Sequence, residues 1–246
     1  MKKLILHVPH AATSLPSKEG YIVNVKKIQQ EITKLTDWYT DDLFHSETDE
    51  MIVAPFSRIF CDVERFENDA DEIMSKVGMG VLYERFDDNE LLRALTAELR
   101  EEVIQNYYRP HHNALTLAVQ TQLDLEGSCL IVDCHSFPST PLLKGIDQSS
   151  SRPDFNIGTD TFHTPQVLID RAVAYFNDKK YSLDIDWPYR GTIVPMSFYK
   201  KDKRVQSIML EVNRKLYLKE PGKEKSENYA ATKEIVQGFL REMKNN

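Results

Sequence analysis

The sequence predicts an α/β fold built on a mostly parallel sheet with helices on both faces. Two observations carry that prediction. Short runs free of charge, Leu4-Ile5-Leu6, Leu130-Ile131-Val132 and Ile208-Met209-Leu210, read as strands buried on both sides, which lack the polar alternation of a half-exposed strand. Between them lie stretches of helical periodicity, and strands that alternate with helices pair in parallel.

Taken in order, the first strand runs through His7 and Val8, stops at Pro9 and leaves His10 just beyond its end. Residues 24–44 carry Ile28, Ile32, Leu35, Trp38, Tyr39 and Leu43 at helical spacing. Met51 to Ala54, closed by Pro55, predicts a strand, and residues 57–63 read as a second short one. Over residues 91–123 Leu92, Leu95, Leu99, Val103 and Tyr107 form one helical stripe. Pro110 lacks an N–H and is expected to break or kink that helix. Residues 137–164, rich in Pro, Ser, Gly and Asp, read as active-site loops able to act as a lid. A helix over 165–177, a strand over 181–186, the strand ending at Glu211 and an amphipathic helix over 227–244 complete the pattern. No linker interrupts it, so one domain over residues 1–246 is expected.

Of the 246 residues, 41% are hydrophobic and 28% charged, enough apolar material for the core of a soluble domain. A net charge of −7 argues against a nucleic-acid surface, which needs a basic face. Cys61, Cys129 and Cys134 lie in or beside apolar runs and read as buried free thiols of a reducing compartment. His7, Pro9 and His10 interrupt the N-terminal apolar stretch too early for a signal peptide, and no run has membrane-spanning length. The expected location is cytoplasmic, with neither nucleic acid nor membrane as partner.

In open α/β sheets the chemistry collects beyond the strand ends. His10 and His135 each stand where an apolar run stops, and Glu211 closes a third run. Two imidazoles and a carboxylate at one rim form a zinc-type hydrolase site, in which one position stays open for water. Asp133, two residues before His135, faces the same side of the strand and can orient that imidazole. A glutamate alone in an apolar run is a candidate general base with a raised pKa. Asp37 and Asp41, four apart, share a helix face, and either could supply an acidic ligand. His7 reads as a packed or hydrogen-bonded strand residue, and of the adjacent His111 and His112 at most one reaches the site. Arg58, Arg65, Arg109, Arg152 and Arg214 stand beside strand ends, where guanidinium groups could clamp the carboxylates of an anionic substrate. At least two of the five are expected to pair with neighbouring acids instead.

Several segments stand in order along the chain: Val8-Pro9-His10-Ala11, Thr36-Asp37-Trp38-Tyr39, Tyr108-Arg109-Pro110-His111-His112, Asp133-Cys134-His135-Ser136, Arg152-Pro153-Asp154-Phe155 with Ile157-Gly158-Thr159, and Leu210-Glu211-Val212-Asn213-Arg214-Lys215-Leu216-Tyr217. Together, from about His7 to Tyr217, they resemble the N-formylglutamate amidohydrolase family. The resemblance implies a three-layer αβα sandwich around a mixed sheet, similar to zinc carboxypeptidases. It implies hydrolysis of N-formylglutamate to formate and glutamate, a late step of histidine breakdown, with His10 and His135 as metal ligands and Glu211 as base. Carboxypeptidase-type sites carry a His-x-x-Glu pair, but Thr13 stands three after His10. The acidic ligand is therefore expected elsewhere, at Asp37. Arg65, Arg109, His112, Arg152 and Arg214 are the expected contacts of a small anionic, amino-acid-derived substrate. Asp62-Val63-Glu64-Arg65 departs in its middle from the family's Asp-Leu-Asn-Arg. Two rivals stay open: a zinc amidase or peptidase acting on another N-acyl amino acid or cell-wall fragment, and a non-catalytic protein that senses an acidic metabolite.

Overall fold

The computed structural model describes residues 3–245. Six strands form one mixed sheet in the order β2-β1-β3-β6-β4-β5. They are β1 (Ile5–Val8), β2 (Glu50–Val53), β3 (Cys129–Phe137), β4 (Phe155–Gly158), β5 (Leu183–Ile185) and β6 (Val205–Asn213). All neighbours are parallel except β4, which runs antiparallel to β6.

The strands alternate cleanly between two faces. Leu6, Val8, Val132, Cys134, Ile208 and Leu210 pack against α5 (Gln166–Asp178) and α6 (Tyr229–Lys244), whose Leu168, Phe176, Val236 and Phe239 fill the same cluster. Ile5, Cys129, Ile131 and Val205 face the other way, onto Leu115, Val119 and Leu123 of α4 (Arg109–Glu126). Helices thus cover both sides, giving the expected three layers. No helix among the described residues is long and apolar enough to cross a membrane. The three cysteines are buried and form no disulfide among the described residues.

Four expectations need correction. The helix expected over residues 24–44 divides into α1 (Val25–Leu35) and α2 (Thr40–Leu43). Side chains take the carbonyls that another turn would have used: the Trp38 indole donates to Thr33 O (2.9 Å) and Arg214 Nη1 to Lys34 O (2.8 Å). Asp37 instead bonds through its backbone N–H to His10 O at 3.0 Å. Asp37 and Asp41 therefore share no helix face. Residues 57–63 form turns rather than a strand, closed by Phe60 N–H and Cys61 N–H on Ser57 O. Pro110 does not end its helix, because α3 (Ala97–Val103) continues through a π-turn (Ile104–Tyr108) into α4. The wider turn accommodates the ring without breaking the helix. Finally, the segment read as loop hides β4, whose four residues are all buried. Gly158 closes it, since a Cβ there would lie 2.2 Å from Gly191 O.

Candidate active site

Each site residue is delivered by the end of an element. His135 and Glu211 sit opposite each other on β3 and β6, in register, both nearly buried. Their side chains leave the α4 face of the sheet where the strands end. His10 follows β1, and Asp37 occupies the break between α1 and α2, tied to the backbone of His10. The break that misled the helix reading is what carries Asp37 to the rim.

The two imidazoles are oriented in the same way. His10 donates from Nε2 to Asp62 Oδ1 at 2.8 Å, and His135 donates from Nε2 to Asp133 Oδ1 at 3.0 Å. A neutral imidazole that donates from Nε2 keeps its lone pair on Nδ1. Both Nδ1 atoms turn to one oxygen, Asp37 Oδ2, at 3.6 Å from His10 and 3.3 Å from His135. The ring centroids are 5.1 Å apart. Asp37 is itself held: Oδ1 accepts from Arg214 Nη2 (2.8 Å) and Oδ2 from the Ser136 N–H (3.2 Å). Burial pushes the Asp37 carboxyl up, but the neighbouring His10 and His135 and the Arg214 charge outweigh it and hold it well below the usual range. Asp62 behaves likewise: burial is outweighed by Arg58, Arg65 and His10. Tyr83 OH donates to its Oδ2 at 2.6 Å, and Arg58 Nη2 does so at 2.9 Å.

This arrangement fits a metal ion. With the Nε2 protons committed to carboxylates, each ring in its neutral form offers Nδ1, and two nitrogens and a carboxylate oxygen converge within 4.8 Å of one another. His10 Nδ1 is buried and makes no hydrogen bond. Such a set calls for positive charge at its centre, and two imidazoles with one carboxylate match the ligand types of catalytic zinc. Carboxylates on the far ring nitrogens are the usual support for such ligands. Glu211 stands alongside with Oε2 buried and unpaired. Burial pushes its pKa up to about 8, against the opposing charge of His135.

Of the other expected residues, Arg214 enters the site, but its guanidinium is spent on Asp37, Ser136 and Lys34 O. Arg65 lies 3.6 Å from Asp62 Oδ2 and donates to Met79 O. His112 donates to Val63 O at 3.0 Å and packs at a tilt against the Tyr108 ring. Arg109 is not brought to the site: it pairs with Glu67 (2.7 Å) and Glu101 (3.2 Å) at the surface. Arg152 is buried, its N–H groups directed to the carbonyls of Pro138, Asp147 and Ser149 and to Tyr189 OH. Among the described residues no carboxylate pairs with it. Tyr83 and Tyr189 carry no local signal in the sequence that would have singled them out. A cavity of about 560 Å³ lies behind Arg214, lined by Trp38, Lys34, Leu142 and Pro221, and none of His10, Asp37, His135 or Glu211 lines it.

A sequence profile of N-formylglutamate amidohydrolases matches residues 2–218. The chain belongs to the N-formylglutamate amidohydrolase family. The N-formylglutamate deformylase of Pseudomonas putida is 23% identical over 231 residues, covering 88% of this chain and 82% of that protein. A solved structure of N-formylglutamate amidohydrolase from Ralstonia eutropha JMP134 superposes with a TM-score of 0.84 at 23% identity, covering 98% of this chain and 93% of the other. An Agrobacterium tumefaciens gene product superposes with a TM-score of 0.66 at 16% identity, covering 99% and 92%.

Proposed function

We propose that this chain hydrolyses the amide bond of N-formyl-L-glutamate, or of a similar N-acyl acidic amino acid, to the carboxylic acid and the free amino acid. The observation that carries the reading is the convergence of His10 Nδ1, His135 Nδ1 and Asp37 Oδ2 beside the unpaired Oε2 of Glu211, within a chain of this family. His10, Asp37 and His135 would hold a divalent cation, with Zn²⁺ the best match to the donors. When bound, such an ion polarises a carbonyl and lowers the pKa of water from about 15.7 to about 7.

The remaining steps belong to the chain itself. Glu211 Oε2 takes a proton from the attacking water and later gives it to the nitrogen of the departing amine. Positive charge brought beside Glu211 favours its ionised form, which burial alone disfavours. Asp62 and Asp133 keep both rings turned, so that neither can present Nε2 to the site. Arg214 holds Asp37 rather than substrate. Arg152, a buried guanidinium with no acidic partner, is the residue that binds a substrate carboxylate; its charge is then balanced only in the complex.

The test is formate release from N-formyl-L-glutamate by zinc-loaded protein, compared with N-formyl-aspartate, N-acetyl-glutamate and short peptides. Preference for N-formyl-L-glutamate is expected. Turnover of peptides alone would overturn the substrate assignment, and lack of hydrolysis by fully loaded protein would overturn the reaction.

A further inference from the structure

A second group of ligand atoms converges on the opposite edge of the His135 ring. His7 Nδ1 lies 2.9 Å from Asp133 Oδ1 and 3.0 Å from Glu64 Oε1. His135 Nε2 is 3.8 Å from the same Glu64 oxygen. One imidazole nitrogen and two carboxylate oxygens again fall within 4.8 Å of one another. They come from β1, the turn after Asp62, and β3. The side chains of His7 and Asp133 are wholly buried, while Glu64 keeps 15% of its side chain in solvent and so leaves an ion a way in.

The proton inventory decides what this group requires. Glu64 Oε1 is buried and accepts no hydrogen bond. Asp133 accepts the Ile193 N–H on Oδ2 (3.0 Å) and the His135 Nε2–H on Oδ1 (3.0 Å). His7 Nε2 and His111 Nε2 are 2.9 Å apart, so one donates and the other accepts. Burial, with the charge of His7 beside it, keeps His111 neutral. A neutral His111 carries one ring proton, so the hydrogen bond it shares with His7 Nε2 runs in either direction. His7 Nδ1 donates to Asp133 Oδ1 at 2.9 Å, and a cation bound here would take the place of that proton. A single N–H then stands between two carboxylates, and the Glu64 oxygen, 3.0 Å from the same nitrogen, is left without a donor. Buried, uncompensated carboxylates are costly. A proton on His7 Nδ1 balances one of the two charges; a divalent cation balances both.

We propose that His7, Glu64 and Asp133 form a second divalent-cation site, separated from the His10–Asp37–His135 cluster by the His135 ring. Its donor set of one nitrogen and two oxygens suits Zn²⁺ or a similar borderline ion. Asp133 serves both clusters: it accepts the proton of His135 and lends its remaining lone pair to the second ion. The ion would thereby stiffen the carboxylate that orients His135. This assignment does not depend on the substrate proposed above.

Metal-free wild-type protein and the variants Glu64→Gln and Asp37→Asn are titrated with Zn²⁺ by calorimetry, and the metal retained after dialysis is counted by mass spectrometry. Circular dichroism confirms that the variants are folded. Two ions per wild-type chain, falling to one in each variant, is the expected result. A single wild-type ion that survives Glu64→Gln and is lost in Asp37→Asn overturns the second site and leaves the first intact. A single ion lost in Glu64→Gln and kept in Asp37→Asn supports the second site and removes the first. Wild-type protein that retains no Zn²⁺ overturns the proposal. Zinc-edge anomalous scattering from wild-type crystals gives an answer independent of any variant: a peak among His7, Glu64 and Asp133 supports the site, and a peak at Asp37 alone refutes it.

Discussion

The two faces of the sheet are built by the same strands yet serve different ends. On the α5–α6 face Leu6, Val8, Val132, Cys134, Ile208 and Leu210 meet Leu168, Phe176, Val236 and Phe239 in one apolar cluster. On the α4 face the same strands begin apolar, with Ile5, Ile131 and Val205. They turn polar toward their C-terminal ends, at His7, Asp133, His135 and Glu211. Residues two apart on a strand share a face, so a single strand such as β3 can anchor the core with Val132 and the chemistry with Asp133. What separates stability from function here is side-chain parity along a strand.

If that division holds, a change on one face should leave the property of the other untouched. The largest effect is expected for Glu211→Gln. Turnover should fall by about 10²–10⁴-fold, or about 3–5 kcal/mol in the barrier, with metal content retained. Thermal stability should stay level or rise, because a neutral amide replaces a buried, unpaired carboxylate. Substantial residual activity would remove Glu211 from the role of base. Phe239→Ala, on the opposite face, should cost about 3–5 kcal/mol in denaturant unfolding, since its ring is fully buried. Zinc affinity measured on the folded fraction should not change; a parallel loss would show that the faces are coupled. A smaller effect is expected of Arg152→Lys at the strand ends. The Michaelis constant should rise by about tenfold, roughly 1.4 kcal/mol, with kcat nearly unchanged, because a point charge replaces a planar fork. An unaltered Michaelis constant would exclude Arg152 from substrate binding.

The smallest change tests a region away from both faces. Asp87 ties α1 to the segment after β3, accepting from Lys34 (2.8 Å) and from the backbone of Leu143 (3.0 Å) and Lys144 (2.9 Å). Burial raises its pKa, but these bonds outweigh it and hold the carboxyl below its ordinary value. A lowered folded pKa contributes stability above the unfolded value and loses it as pH falls through the folded one. Asp87→Asn should therefore be less stable than wild type at neutral pH, and the gap should close below about pH 4, the ordinary carboxyl range. A gap that persists unchanged in acid would assign the effect to something other than this charge.

Much of this was legible in the chain. The strands through Leu6, Val132 and Leu210 are unbroken apolar runs, and burial on both sides leaves that mark whatever the rest of the fold does. His10, His135 and Glu211 stand at the ends of such runs, so the strand reading alone places them at one rim. β4 escaped because its four residues, which follow Pro153-Asp154 and end on Gly158, are too few to show a period. The break after Leu35 escaped because Trp38 and Arg214 cause it, and Arg214 is 180 positions from the carbonyl it caps. Asp37 was favoured through family resemblance; its helical spacing pointed to a face it does not occupy. Arg109 looked equivalent to Arg152 in the sequence, and only the presence of Glu67 beside it separates the two.

The amino-acid order by itself determined which segments are buried strands and which polar residues end them, because side-chain parity and apolar content act locally. Only the tertiary structure decided which nitrogen of each histidine faces the site, which arginines are already paired, and where Glu64 meets His7. Those outcomes depend on hydrogen bonds between residues far apart in the chain, and periodicity carries no record of them.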